Sequence, residues 1–381
     1  MKSPGTIYSI ATRIGTAGLG TVSYNALKAL DENGLLKLAV TYGNKSELRN
    51  PKIISLSGNP AKLLFFLSRR YYSPLRNGFL DYVTSRIILA KGCSIFHGWN
   101  KQALKSIKAA HRLGAKTILE SGTTHWLYRT RLLKEEYKKF DKAQLQIPEY
   151  AIQSAIEEID RSDFVFLPSE FAKSTFVESG TDENKLFVMG RGVDLEGFAP
   201  EPKKDKRFRV LFAGRLSLRK GVHYLLEAWE KLKLKDAELI LAGGIDDNLK
   251  PILSRYTHVS SIVLKGFIKD PKQVQNVFKE ATIFVLPSLE EGSAKVTYEA
   301  MASGLPVITT ENSGSVVRHG LDGFIIPIRD SNAIKERILY FYDNPEMIEV
   351  MGAHGMENMK LYPWKRYRDG LIDVYKRLLN I

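Results

Sequence analysis

Residues 287–307 read PSLEEGSAKVTYEAMASGLPV, and this stretch decides the predicted fold. The compact apolar run Ile283–Leu286 precedes it, and Gly304 and Pro306 separate its helical part from a second apolar run at Val307–Thr309. Short apolar runs bounded by turn residues are typical of buried parallel strands. The stretch is therefore predicted to join two strands through a loop and a helix, at the carboxyl edge of an open α/β sheet where ligands bind.

The same alternation of strand and helix signals continues along the chain and indicates an α/β protein with parallel sheets. In the first half, short strands are predicted at Ile7, Leu38–Val40, Ile53–Leu56, Ser94–Phe96, Thr117–Leu119 and Phe164–Leu167. In the second half, the further strands are predicted at Arg209–Phe212, Leu239–Ala242, Ile262–Leu264 and Phe324–Ile326. Helical patterns lie between the strands, as at Thr21–Leu30 and Gln102–Leu113.

The domain boundary is predicted near residue 200. Two prolines, Pro200 and Pro202, and a cluster of charged residues precede a buried strand there, which is typical of a linker. The chain of 381 residues is also too long for one comfortable core. We therefore expect α/β domains at 1–200 and 201–361, followed by an amphipathic C-terminal helix within 362–381.

Composition limits the classes of protein to which the chain can belong. Hydrophobic residues make up 44% and charged residues 26%, as in folded globular proteins. The single cysteine, Cys93, excludes an intramolecular disulfide, fits a reducing cytosol and argues against a zinc cluster. Neither a secretory signal nor an apolar run long enough to span a bilayer is recognised, so a cytoplasmic location is expected.

The positive charge is concentrated in the first part of the chain. The net charge is +14, and residues 1–142 carry 24 lysines and arginines against 8 aspartates and glutamates. Such a one-sided field indicates an anionic partner, such as membrane lipid, nucleic acid or a charged acceptor, although a lysine-rich solvated surface is an alternative.

Residues 61–91 combine basic and aromatic side chains, which an interfacial membrane contact requires. The competing interpretation is a pair of core helices with their arginines in water. The arginines concerned are Arg69, Arg70, Arg76 and Arg86.

In the second half of the chain, four side chains near the predicted sheet edge are candidates for binding a sugar and a pyrophosphate. Glu291 lies in the loop after a strand and Glu299 about two turns along the following helix, so both carboxylates can accept hydrogen bonds from sugar hydroxyls. The amino end of that helix offers N–H groups to phosphate. Arg215 and Lys220 flank a glycine-containing loop after another strand and can clamp a pyrophosphate.

In its full context, the stretch 287–307 resembles the signature of family 4 glycosyltransferases, which are retaining enzymes of the GT-B fold. The matching positions are Pro287, Ser288, Glu291, Gly292, Glu299, Ala300, Met301, Gly304 and Pro306. The resemblance implies that Glu291 contacts the donor sugar and that Glu299 holds the ribose. It also implies that the backbone N–H groups near the diphosphate come from Gly292, Ser293, Ala294, Lys295 and Val296. Ser293–Ala294 depart from the family's Phe-Gly, which affects sugar recognition more than phosphate binding.

Further motifs in the same order extend the resemblance. Arg215 and Lys220 resemble the family's donor-phosphate pair and are assigned to catalysis. Thr16–Gly20 resembles the glycine-rich loop that touches the donor phosphate, and Gly18 is carried over from it. Glu120–His125 resembles the place where a histidine faces the donor sugar, so His125 is the candidate and His97 its competitor.

The resemblance implies two Rossmann-like domains facing a central crevice, with the first domain binding the acceptor and the second the nucleotide-sugar donor. It also implies a C-terminal helix that returns to the first domain. Catalysis then consists of positioning and of stabilising charge on the leaving diphosphate.

No metal and no resident cofactor are expected, and the co-substrate is a UDP- or GDP-linked sugar. The acceptor is open, with lipid-linked and polysaccharide acceptors both considered, and no nucleic acid is expected as a partner. Three alternatives remain at this stage: a phosphorylase of the same fold, a sugar-nucleotide epimerase, and a non-enzymatic nucleic-acid-binding protein.

Overall fold

The computed structural model describes residues 5–48, 52–56, 69–140, 147–201 and 205–380. The chain divides into two compact units. Unit 1 comprises Met1–Tyr128, Gln146–Gly190 and Lys365–Ile381, and unit 2 comprises Arg129–Leu145 and Arg191–Trp364.

The main division, at Gly190/Arg191, falls before the position near residue 200 that the prolines predict. Residues 191–200 pack with unit 2, because the Val193 N–H donates to the Tyr362 carbonyl at 3.0 Å. Phe198 is also buried against the ring of Phe278, with 5.4 Å between the ring centroids.

Unit 1 is a parallel sheet with helices, as its apolar runs predict. Its strands are β1 (Thr6–Ile10), β2 (Leu36–Thr41), β3 (Ile53–Ser55), β4 (Ile95–Trp99), β5 (Lys116–Glu120), β6 (Phe164–Leu167) and β7 (Leu186–Val188). Its helices are α1 (Leu19–Glu32), α2 (Arg69–Lys91), α3 (Leu104–Arg112), the start of α4 (Trp126–Tyr137), α5 (Glu149–Arg161) and α6 (Glu170–Glu178). The seven described strands follow the order β3-β2-β1-β4-β5-β6-β7. The short edge strand β7 is the one element of this sheet that the sequence analysis missed.

Unit 2 repeats this architecture. Its strands are β8 (Phe208–Ala213), β9 (Ala237–Ala242), β10 (Ile262–Gly266), β11 (Ile283–Leu286), β12 (Val307–Thr310) and β13 (Gly323–Ile326). Its helices, besides the rest of α4, are α7 (Val222–Leu232), α8 (Lys250–Leu253), α9 (Pro271–Glu280), α10 (Lys295–Ala302), α11 (Ser331–Asp343) and α12 (Glu346–Met359). The six described strands are ordered β10-β9-β8-β11-β12-β13, so the order reverses between β8 and β11. Loops that follow strands on either side of such a reversal form the usual ligand crevice of an open sheet.

The last helix, α13 (Trp364–Leu379), groups with unit 1 from Lys365 onward. Its Tyr375 is fully buried, and the Tyr375 Oη lies 2.8 Å from Nδ1 of His97 on β4. The predicted return of the C-terminal helix to the first unit is thus observed in these contacts.

Residues 129–140, most of them in α4, belong to unit 2 through a buried carboxylate. Glu136 accepts hydrogen bonds from Nε2 of His223 at 2.9 Å, Oη of Tyr224 at 2.7 Å and Nε of Arg329 at 2.8 Å. Burial alone would raise the pKa of Glu136, but the hydrogen bonds from His223, Tyr224 and Lys139 lower it to about 2. The ionised Glu136 carboxylate therefore binds this segment, through hydrogen bonds, to α7 and to the loop before α11.

Within residues 61–91, the described part forms helix α2 from Arg69 to Lys91, with Pro74 inside it. The apolar residues 63–66 and the side chains of Arg69 and Arg70 lie outside the described part of the chain. In the described ranges, none of the helices is both long enough and apolar enough to cross a bilayer.

Candidate functional site

The loops that follow β8 and β11 are joined directly in unit 2. The Leu289 N–H donates to the Arg219 carbonyl at 2.9 Å. At Gly221, which has φ 66°, an added Cβ would lie 2.0 Å from the Pro287 carbonyl oxygen. This close approach requires glycine and brings the two predicted motifs side by side at the reversal of strand order.

Glu291 and Lys220, which the sequence analysis assigned to one site, form an ion pair. Lys220 Nζ lies 2.6 Å from Glu291 Oε1, and Arg219 Nη1 lies 3.1 Å from the same oxygen. Burial would raise the pKa of Glu291, but the two cations lower it to about 2. The carboxylate is therefore ionised across the whole physiological pH range.

Arg215 occupies a more open position than Lys220. Its side chain is 52% exposed, and its Nε lies 3.1 Å from Oδ2 of Asp246 in the loop after β9. Asp247 pairs instead with Lys250 at 2.7 Å. Over the described residues, no group of three or more His, Cys, Asp or Glu side chains has the arrangement of a metal site.

Glu299 lines a cavity of about 300 Å³ at the same edge of the sheet. Its Oε1 accepts from Lys295 Nζ at 2.7 Å, one turn earlier on α10. The cavity is walled by three glycines, by apolar side chains and by two charged residues. These are Ala213, Gly214, Arg215, Ala242, Gly243, Gly244, Phe267, Ile268, Val274, Val277, Phe278, Val296 and Glu299.

The loop before α10 differs in one respect from the prediction. The Ala294 N–H, expected to face a diphosphate, donates to the Ser313 carbonyl at 2.9 Å, because the loop packs on the turn after β12. Ser293 Oγ lies 3.2 Å from Oη of Tyr298. Gly292 is buried in the same loop, while Lys295 and Val296 form the first turn of α10. Of these predicted contacts, the one through Ala294 is corrected: its N–H is already used within the chain.

Gly18 and His125 lie in unit 1, whereas the other predicted site residues lie in unit 2. Gly18 precedes α1 with φ 76°, and no atom lies within 4 Å of the position of an added Cβ. Its carbonyl accepts from the Thr21 N–H at 3.1 Å, which starts the helix. The exposed backbone at the amino end of α1 is the arrangement that favours an anionic ligand.

The two candidate histidines are in different environments. Burial lowers the pKa of His125 to about 4, so its imidazole is neutral at pH 7. Its Nδ1 accepts from the Leu127 N–H at 3.3 Å, and its ring meets the ring of Phe176 edge-on. His97 is fully buried and bound to Tyr375, as a core residue would be. Both side chains are buried, with 2% of His125 and none of His97 exposed, and the choice of His125 over His97 stays a prediction.

The sequence analysis missed three charged residues at this site. Arg219 contacts Glu291 directly. Glu290 is fully buried, and its Oε2 lies 3.3 Å from Nη1 of Arg129. The only signal for Arg219 was its place beside Lys220 in a glycine-flanked loop. For Arg129, far away in the sequence, there was none.

Comparison with known proteins finds relatives among the glycosyltransferases. Residues 207–344 match the family model described as Glycosyl transferases group 1. The chain is 27% identical over 207 residues to the putative colanic acid biosynthesis glycosyltransferase WcaL of Escherichia coli K12. That match covers 50% of this chain and 51% of WcaL, so it spans about half the length of the relative.

Solved structures resemble nearly the whole chain in fold. Sucrose-phosphate synthase from Thermosynechococcus elongatus superimposes with a TM-score of 0.75 at 18% identity, over 99% of this chain and 100% of that one. Anabaena Alr3699/HepE, solved with UDP and glucose, gives a TM-score of 0.73 at 14% identity, over 98% and 100%. These likenesses confirm the predicted fold class, two Rossmann-like units of the GT-B type.

Proposed function

Because the family model and the relatives that the chain matches are those of glycosyltransferases, we propose that it moves a sugar from a nucleoside-diphosphate sugar to an acceptor. The observation that carries this proposal is the cavity at the reversal of strand order in unit 2. Glu299 and Arg215 line it, and the ion pair of Lys220 and Glu291 lies in the adjoining loops. We propose retention of the anomeric configuration as part of the same mechanism.

Each part of the donor has a matching group. Apolar walls such as Phe267 and Val277 suit a base, and the Glu299 carboxylate can accept from ribose hydroxyls. The cations of Arg215 and Lys220 suit the diphosphate and would stabilise the charge that develops on it as the sugar leaves. Glu291 is then left to contact the sugar.

UDP-linked sugars are the first donors to test, ahead of GDP-linked ones. Structures of Anabaena HepE contain UDP or UDP-glucose, which supports this order. We expect at least one nucleotide sugar to raise the Tm of the protein and to be hydrolysed slowly without acceptor. A screen of UDP- and GDP-sugars that gives neither a Tm shift nor hydrolysis would contradict the proposal.

Glu299→Gln tests the ribose contact. The amide keeps the shape but accepts hydrogen bonds more weakly, so the affinity for bare UDP should fall about tenfold. Titration calorimetry measures this affinity. Glu227→Gln is the matched control, because Glu227 also pairs with a lysine four residues away on a helix of unit 2. Equal affinity in both variants and the unmodified protein would mean that the ribose is held elsewhere.

We also propose that unit 1 docks on an anionic membrane surface, where a lipid-linked acceptor would be presented. Helix α2 exposes Leu75, Tyr82 and Leu89 together with Arg86. Arg76 contributes less than expected, because its guanidinium lies over the ring of Tyr42 at 4.2 Å. The excess positive charge of residues 1–142 supports attraction to acidic lipid.

Cosedimentation with vesicles tests this docking. Binding should require anionic lipid and weaken as salt rises past about 0.15 M. Replacing Tyr82 by Ser and Arg86 by Gln together should reduce the bound fraction about fivefold or more, since each basic residue contributes about 1 kcal/mol. Arg255→Gln removes one exposed charge from unit 2 and should have no effect. Protein that remains in the supernatant with anionic vesicles at low salt would favour a soluble acceptor.

A further inference from the structure

A chain of alternating charges extends from the candidate site into the interior of unit 2. Arg219 Nη1 lies 3.1 Å from Glu291 Oε1 and 3.5 Å from Glu290 Oε2, and it donates to the Glu290 carbonyl at 2.7 Å. Glu290 Oε2 is in turn 3.3 Å from Nη1 of Arg129 on α4. Lys220 thus shares the Glu291 carboxylate with a second cation, Arg219, which also contacts Glu290.

This sharing matters because the Glu291 side chain is only 14% exposed and Lys220 is assigned to the donor. A buried carboxylate that loses its only cation is left with an uncompensated charge, which is strongly unfavourable. Lys220 could not turn toward a diphosphate without that penalty if it were the only partner of Glu291. Arg219 removes the difficulty, since it stays with Glu291 when Lys220 leaves.

We infer that Arg219, held by Glu290, which Arg129 holds in turn, is a positioning residue that retains the Glu291 carboxylate while Lys220 engages the donor diphosphate. The inference rests on the proposed function and adds to it a mechanism for exchanging ion-pair partners. The network makes this exchange possible because Arg219 has two carboxylates and a carbonyl around one guanidinium.

The charged and titratable groups that face Glu291 or its neighbouring arginines come from three segments. The loop after β8 and the loop of Glu291 itself supply most of them, and α4 supplies the rest. They are Arg219, Lys220, Glu290, Arg129 and Tyr137. Arg219 and Lys220 are the two that lower the pKa of Glu291 most, so loss of Arg219 should raise that pKa measurably.

The pH profile of kcat/KM separates positioning from a purely structural role. Arg219→Gln keeps an N–H for the Glu290 carbonyl but removes the charge. We expect its acid limb to move upward by about one pH unit from its position near pH 2, so that at pH 3 kcat/KM falls to about half of its own plateau while the unmodified enzyme keeps about nine-tenths of its plateau. Arg219→Lys keeps the positive charge and should return the acid limb most of the way to that of the unmodified enzyme. Arg255→Gln should leave the profile unchanged.

Two further measurements keep the outcomes distinct. If Arg219→Gln does not fold, Arg129→Gln replaces it and should shift the limb in the same direction by less. If the unmodified protein neither binds nor hydrolyses a nucleotide sugar, the proposed function itself has failed. If it does, and the profiles of Arg219→Gln and the unmodified enzyme superimpose, the inference about Arg219 is wrong while the function stands.

Discussion

Lys220→Ala should lower turnover by about 10²- to 10³-fold, equivalent to about 3 to 4 kcal/mol of transition-state stabilisation. The Lys220 side chain is only 10% exposed, and Nζ is held 2.6 Å from Glu291. A cation in such a protected place acts on the leaving diphosphate with little screening by water. Alanine removes that cation and leaves nothing of similar charge at the same point.

Arg215→Ala should have a smaller effect, about tenfold, although the sequence analysis gave the two residues equal roles. The Arg215 guanidinium is half-exposed and shared with Asp246, so water and the aspartate already screen its charge. Steady-state hydrolysis of the donor, with and without acceptor, measures both variants. Lys231→Ala, which removes a lysine paired with Glu227 elsewhere in unit 2, is the control. Turnover within threefold of the unmodified enzyme for Lys220→Ala would remove Lys220 from the mechanism.

Gly243→Ala should destabilise unit 2 by about 3 kcal/mol or more and abolish donor binding. Gly243 has φ 150°, and an added Cβ would lie 1.8 Å from the Gly214 carbonyl oxygen. The methyl group can fit only if the ends of β8 and β9 separate, and both glycines line the cavity. The substitution therefore damages the fold and the site through the same contact.

The next residue provides a matched control for this prediction. Gly244 lines the same cavity, yet no atom lies within 4 Å of its added Cβ. Gly244→Ala should fold with nearly unchanged Tm and lose donor affinity only modestly. Thermal unfolding and titration with UDP test the pair. Similar behaviour of the two variants would show that the contact with Gly214 is not limiting.

Sequence patterns predicted the strands of unit 2 because each is an apolar run between turn residues, as Ile283–Leu286 illustrates. Glu291 and Lys220 could be placed together for the same reason, since parallel strands deliver their loops to one edge. The cavity walls could not be predicted, because Phe267 and Val277 come from a loop and a helix whose orientation is a tertiary property. The partner of Arg219 likewise depends on side-chain direction, which spacing alone does not give.

The domain boundary shows the limit of linker signals. Prolines mark places where a chain can bend, but they do not say which side of the bend packs with which core. Phe198 and Val193 precede Pro200 and still belong to unit 2, because their contacts with Phe278 and Tyr362 are made there. The short strand Leu186–Val188 was not predicted for a related reason, because three residues are too few to show a recognisable hydrophobic pattern.

The carboxylate of Glu136 has a consequence for dissecting the protein into fragments. Unit 2 is discontinuous along the gene, since residues 129–145 precede the stretch 191–364 by a long interval. A recombinant fragment beginning at residue 191 would omit Glu136 and the partly buried Tyr137 and Phe140. Such a fragment would present uncovered apolar surface and unmatched cations, and a synthetic peptide spanning 129–140 should restore its solubility.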